Sequence, residues 1–193
     1  MASKKVEGRR ARVEGRKGSR PITLDSRLDR VRLFLCDVDG VLTDGTVWMG
    51  NGVETKRFNI RDGLGLKMLQ HHGIKVGWVS RRPSSATQQR AKDLGIDFLT
   101  QGDSGKVAAV ESILRQTGLE WSAVCYVGDD VVDVGALKHA GLAVAVADGV
   151  VEAKAAAVYI TKARGGHGAI REMVEMILKA QGKWAGVVAQ YAA

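Results

Sequence analysis

The chain is punctuated by short apolar runs that stop abruptly at polar or acidic residues. Val31-Arg32-Leu33-Phe34-Leu35-Cys36 stops at Asp37, Lys75-Val76-Gly77-Trp78-Val79 at Ser80, and Ala123-Val124-Cys125-Tyr126-Val127 at Gly128-Asp129-Asp130. Runs at 142–146 and 157–160 complete the set. Segments 64–72, 84–94, 106–116, 132–140 and 168–179 carry apolar residues at helical spacing between them. Continuous apolar strands alternating with amphipathic helices predict an α/β fold, a doubly wound parallel sheet covered on both faces. Ligands of such sheets bind beyond the carboxyl ends of the strands, which is where Asp37, Asp39, Ser80, Asp129 and Asp130 fall. One segment breaks the pattern. Thr46 to Met49 and Val53 to Phe58 flank Gly50-Asn51-Gly52 and read as a β-hairpin flap over 46–58.

Composition adds an uneven charge. With 193 residues and 45% hydrophobic content the chain can bury one full core. Residues 1–20 hold eight Lys/Arg against two acids, so most of the formal +8 sits there and the remainder is nearly balanced. Few apolar residues and the near-repeat Val6-Glu7-Gly8-Arg9, Val13-Glu14-Gly15-Arg16 predict a disordered basic leader over 1–30. A folded domain is expected over 31–184, with a short tail at 185–193. Because the basic excess lies in the leader, it says little about the domain's partners, and a nucleic-acid partner is not expected. Neither a secretory signal nor a membrane-spanning run is visible, so no membrane partner is expected. Cys36 and Cys125 each sit inside an apolar run, as buried thiols in a reducing, cytoplasmic setting do.

The chemical signal lies in two acidic turns. Asp37-Val38-Asp39-Gly40 puts two carboxylates two residues apart just past a buried strand, able to face one cleft if the chain curls there. Gly128-Asp129-Asp130-Val131-Val132-Asp133 does the same past another strand. Acids and glycines also build ordinary strand-to-helix turns. Two such turns at corresponding strand ends, with Ser80 and Lys106 between them in sequence, point to a site instead.

The order Asp-x-Asp-Gly, Ser after a strand, Lys at a helix start and Gly-Asp-Asp-x-x-Asp resembles the four motifs of haloacid dehalogenase-like phosphatases. Asn59-Ile60-Arg61-Asp62-Gly63, Ala143 to Asp148 and Gly165-Gly166-His167-Gly168-Ala169 narrow the resemblance to the 3-deoxy-D-manno-octulosonate 8-phosphate phosphatases. The similarity runs from about Leu33 to Trp184. It implies a Rossmann-like core, Mg²⁺ as cofactor, and hydrolysis of the phosphate monoester of a 3-deoxy-ulosonate sugar acid through an aspartyl-phosphate. A sister activity on a nine-carbon ulosonate 9-phosphate is the alternative, and a catalytically quiet oligomerisation domain is the reading from another class. Retention of Asp37, Asp39, Ser80, Lys106 and Asp129 speaks against the latter.

A phosphate dianion repels a carboxylate nucleophile by about 8 kcal/mol at 4 Å and an effective dielectric near 20, which is roughly six decades in rate. A hard cation with oxygen ligands removes that barrier. The resemblance assigns metal ligation to Asp37, the Asp39 main-chain carbonyl and Asp129. Nucleophilic attack falls to Asp37 and acid–base work to Asp39, while Ser80 and Lys106 hold the phosphoryl oxygens. Asp130 and Asp133 would support Lys106 and the metal. Substrate contacts are implied for Asp39, Asn59, Ile60, Arg61, Asp62, Gly63, Lys67, Arg82, Arg90 and Lys106. Lys67, Arg81 and His167 depart from the family's usual residues. The 43 positions from Asp37 to Ser80 and the 26 from Ser80 to Lys106 leave no room for a cap domain. The second gap is filled by one helix and one short strand. An open site with an apolar hairpin beside it predicts a homo-oligomer, by resemblance a tetramer, whose neighbours cover each other's sites.

Overall fold

A computed structural model describes residues 23–192. Residues 1–22, most of the expected leader, lie outside the described residues. The described part of the expected leader is folded rather than disordered over residues 24–30. Leu24–Arg30 form helix α1, capped by the Thr23 hydroxyl, with Leu28 buried and Arg27 donating to the Gly141 carbonyl. The Gln181 amide donates to the carbonyls of Leu28 and Val31, tying α1 to the end of the last core helix.

Six strands form the sheet: β1 (Leu33–Cys36), β4 (Lys75–Ser80), β5 (Phe98–Gln101), β6 (Val124–Gly128), β7 (Leu142–Ala145) and β8 (Tyr159–Ile160). Their order is β5-β4-β1-β6-β7-β8 and every pair is parallel. Apart from the hairpin, this is the order of a doubly wound sheet that reverses direction between β1 and β6, the place where such folds open a ligand crevice. Asp37 follows one of these strands and Asp129 the other.

Strand periodicity sorts the core into two layers. Phe34 and Cys36 face the layer made by α1, α2 (Ile60–His71), α3 (Ser85–Leu94), α7 (Ala169–Ala180) and Val187. Leu33 and Leu35 face α4 (Lys106–Thr117), α5 (Val134–His139) and α6 (Val151–Ala156). Helix ends follow local chemistry. The Asn59 and Ser84 side chains accept from Arg61 N and Thr87 N at the starts of α2 and α3, and Gly95 and Gly118 close α3 and α4 in the left-handed region. The expected tail is also regular, since Trp184–Ala192 form α8, which buries Val187.

The hairpin pairs β2 (Trp48–Gly50) antiparallel to β3 (Val53–Thr55). Asn51 and Gly52 both have positive φ, at 50° and 73°, which a two-residue turn of this hand requires. Trp48 and Met49 are each 69% exposed. No domain is inserted, since only this hairpin separates β1 from α2, and only α3 and β5 separate Ser80 from Lys106.

Candidate active site

Asp37 extends the β1–β6 ladder by one bond, its N–H donating to the Val127 carbonyl at 3.0 Å. Beyond it the chain curls back. The amides of Leu42 and Thr43 donate to the Val38 carbonyl, and the Thr43 hydroxyl accepts from the amides of Gly40 and Gly45. Gly40 has φ +91°, and a Cβ there would stand 2.0 Å from Asp129 Oδ2. The glycine is what lets the first acidic turn lie against the second. Gly165 and Gly166 approach from the far side, packed on the backbone of Gly40 and of Thr43-Asp44, and Asp148 accepts from Gly165 N to hold them there.

Four buried or half-buried groups converge. Lys106 Nζ, at the first residue of α4, lies 2.6 Å from Asp37 Oδ2 and 2.7 Å from Asp133 Oδ1. Carboxylate oxygens of Asp37, Asp129 and Asp133 lie within 4.8 Å of one another. Three carboxylates therefore crowd together, and one ammonium pairs with two of them. Asp133 is fully spent: Oδ1 also accepts from the Tyr126 hydroxyl at 2.7 Å, and Oδ2 accepts from the amides of Asp129 and Asp130 at 3.0 and 3.2 Å. Asp130 caps the turn at Val131–Asp133. Asp129 is the opposite case, with a buried Oδ1 that has no hydrogen-bond partner among the described residues.

Electrostatics follow this crowding. Burial, then the charges of Asp37 and Asp133, push the Asp129 carboxyl up to about 8. Burial raises Asp37 too, opposed by Lys106. Burial alone would lower Lys106, but Asp37 and Asp133 more than offset it and leave its ammonium raised. An orphaned carboxylate oxygen, a surplus of negative charge and an all-oxygen donor set fit a hard divalent cation such as Mg²⁺. Nothing in the set suits a soft metal.

Ser80, at the end of β4, is buried, and its hydroxyl bridges the Arg82 amide and carbonyl. Asp39 sits beside this cluster and is held by Lys56, 2.7 Å from Oδ1 and 2.9 Å from Oδ2. The residues expected to contact substrate divide into groups. Asn59 caps α2, while Ile60 and Arg61 are exposed at its start. Asp62 is buried and accepts from Gly168 N and Arg171 N, so it caps α7. Gly63 is where the Arg90 guanidinium packs. Lys67 donates to the Leu94 carbonyl at 2.9 Å, at the end of α3, which points it toward the amino-terminal edge of the sheet within this subunit. Arg82 Nη1 and Arg90 Nε are buried without a partner, and Arg82 Nη2 pairs with Glu54 at 2.6 Å. Of the departures, His167 bonds the Gly165 carbonyl and Arg81 makes only a long surface pair with Asp103.

Sequence reading missed Glu54, Lys56 and Tyr126. Lys56 and Glu54 sit among charged neighbours in a flap strand, a pattern that signals solvent. Tyr126 reads as one more apolar strand residue. A cavity of about 560 Å³ opens between the flap and the first acidic turn, lined by Asp44, Thr46, Trp48, Thr55, Lys56 and Arg57. A groove of about 600 Å³ around Leu114, Leu119 and Trp121 lies at the amino-terminal end of β6, away from the acids. Both cysteines are free and buried, and no helix among the described residues is long and apolar enough to cross a membrane.

A model of haloacid dehalogenase-like hydrolases matches residues 96–173. The 3-deoxy-D-manno-octulosonate 8-phosphate phosphatase of Yersinia pestis is 42% identical over 161 residues, covering 83% of this chain and 86% of the relative. That of Escherichia coli K12 is 40% identical over 166 residues, covering 84% and 88%. Among solved structures, the phosphatase of that name from Moraxella catarrhalis, in complex with magnesium, phosphate and a KDO molecule, superposes with a TM-score of 0.86 at 37% identity, covering 89% of this chain and 99% of its own. The cobalt-bound Haemophilus influenzae enzyme gives 0.78 at 41% identity, covering 81% and 92%.

Proposed function

The chain belongs to the 3-deoxy-D-manno-octulosonate 8-phosphate phosphatase family of haloacid dehalogenase-like hydrolases, and from that premise we propose that it hydrolyses this sugar-acid phosphate with Mg²⁺ as cofactor. The observation that carries the reading is the buried Asp37 in contact with Lys106, with the orphaned oxygen of Asp129 beside it. Asp37, Asp129 and the Asp39 carbonyl would hold the cation. When bound, Mg²⁺ supplies positive charge that offsets the repulsion between substrate and nucleophile.

The chain's own residues then account for the steps. An Asp37 oxygen attacks phosphorus, the P–O bond to the sugar breaks, and Asp39 gives its proton to the departing alkoxide. A water deprotonated by Asp39 next attacks the aspartyl-phosphate and releases inorganic phosphate, restoring both carboxyl groups. Ser80 and Lys106 hold the phosphoryl oxygens, and Asp133 fixes Lys106 by taking its other hydrogen bond. Arg82 and Arg90, each with an unpartnered buried nitrogen, suit the substrate's carboxylate.

The same reading includes assembly. Trp48, Met49 and Val53 leave exposed apolar surface on the hairpin beside an uncapped site. Packing of these hairpins into a closed homotetramer covers both. Phosphate release from a panel of eight- and nine-carbon ulosonate phosphates, with and without Mg²⁺, tests the reaction. The expected result is Mg²⁺-dependent turnover with preference for the eight-carbon ester. No release from either ester overturns the activity, and preference for the nine-carbon ester overturns the substrate. Light scattering tests the assembly, and a fully active monomer at assay concentration overturns it.

A further inference from the structure

Lys56 is a lysine with no exposed side-chain surface, one residue past the end of β3 and outside every motif that defines the chemistry. Its surroundings account for the burial. Both Asp39 oxygens lie at 2.7 and 2.9 Å, Thr87 Oγ1 at 3.2 Å, and Glu54 Oε1 at 3.6 Å. Two of its N–H donors are spent on hydrogen bonds, to Asp39 Oδ2 and Thr87 Oγ1, and its charge is further paired with Asp39 Oδ1 and Glu54. Those acceptors come from three parts of the chain: the first acidic turn, the first turn of α3, and the flap itself. Glu54 extends the arrangement, accepting from the Ser84 hydroxyl at 2.6 Å and pairing with Arg82 at 2.6 Å.

A buried charge is retained at a cost unless its partners repay it, and an apolar residue would fill the same volume more cheaply. Surface charge or solubility cannot explain a lysine that solvent does not reach. We propose that Lys56 is a positioning residue for the acid–base step: its ammonium hydrogen-bonds Asp39 Oδ2, pairs with the carboxyl as a whole, and so fixes where that carboxyl meets the leaving group and the attacking water. The proposal rests on the reading of Asp39 given above. It makes the flap part of the catalytic apparatus, because the segment that carries apolar Val53 outward on β3 also carries Glu54, and Lys56 just past the strand's end, inward.

The test separates steps that use Asp39 from the step that does not. Loss of the p-nitrophenolate anion needs no proton, whereas an alkoxide does, and hydrolysis of the aspartyl-phosphate needs Asp39 for either ester. Lys56→Met keeps the buried stem and removes the ammonium. With Mg²⁺ present, stopped-flow first turnover on the eight-carbon ulosonate phosphate should fall about 100-fold, the effect of roughly 1 Å of misplacement. The p-nitrophenolate burst should stay within about threefold of wild type, followed by slow steady-state release. In an Asp39→Asn background the added Lys56→Met should cost nothing further, because residues acting as a unit are non-additive. Thr87→Val, which removes one anchor of Lys56 without touching Asp39, should show the same pattern more weakly and serves if Lys56→Met does not fold. Equal losses in both first turnovers, or a full additional loss in the Asp39→Asn background, overturns the proposal. A wild-type enzyme that gives a p-nitrophenolate burst yet leaves the sugar-acid phosphate intact overturns the proposed substrate instead.

Discussion

Asp129→Asn should remove a pH dependence of stability that the metal-free protein owes to one carboxyl. Asp129 is raised to about 8 in the folded chain by burial and by the charges of Asp37 and Asp133, against roughly 3.9 when unfolded. Between about pH 4 and 8 the folded state thus holds a proton that the unfolded state has lost. Stability in that window falls as pH rises, with a limiting slope of about 1.4 kcal/mol per unit. From pH 6 to 8, with the slope halved at the folded pKa, the full effect is about 2.3 kcal/mol, and partial exposure of Asp129 reduces it to about 2 kcal/mol. For a domain of this size that is about 4–8 °C in Tm. Thermal unfolding in EDTA at pH 6 and 8 should therefore show wild type losing that much more than Asp129→Asn, whose amide has no proton to lose. Contributions common to both proteins cancel in the comparison. Saturating Mg²⁺ should flatten the wild-type difference, since the cation favours the carboxylate. Parallel curves for the two metal-free proteins would falsify the view that Asp129 is a crowded carboxyl awaiting a cation.

Three further outcomes follow from the same geometry. Asp37→Asn should lower phosphate release by at least about 10⁴-fold with an unchanged circular dichroism spectrum, and wild-type-like turnover would contradict its role as nucleophile. Gly40→Ala places a methyl 2.0 Å from Asp129 Oδ2 and should weaken Mg²⁺ binding by about 10- to 100-fold in calorimetry; unchanged affinity would mean Asp129 is no ligand. Asp133→Asn exchanges a carboxylate accepting four hydrogen bonds for an amide that repels some of them. It should cost about 3–5 kcal/mol, visible in urea unfolding, while a variant as stable as wild type would show that Asp133 does not organise the cluster.

Much of the fold was legible because doubly buried parallel strands are written as apolar runs and end at their functional residues. The runs ending at Asp37, Ser80 and Gly128 mark strands β1, β4 and β6. Elements at the periphery were harder to read. Leu24–Arg30 carries four charged residues and buries only Leu28, so its pattern merges with the leader before it. Val151–Ala156 is too short to show a period, and Trp184–Ala192 is apolar nearly all round while burying one residue.

The site was legible to the same depth and no further. Types and spacing are enough to find Asp37, Lys106, Asp129 and Asp133, because a phosphoryl site needs that charge balance wherever the strands end. What spacing does not carry is which charges are already spent on one another. Asp62 and Lys67 lie in a motif suited to substrate, yet one caps α7 and the other holds the end of α3. Lys56 and Glu54 look like solvated strand charges, yet both reach inward, because the hairpin turns back over the first acidic turn and α3 lies beneath it. An ion pair between residues 17 apart, such as Lys56 and Asp39, has no local signature: each partner is an ordinary surface residue until the fold joins them. Once such pairs are subtracted, the charged groups with unpartnered buried atoms among the described residues include the nitrogens of Arg82 and Arg90 and an oxygen of Asp129.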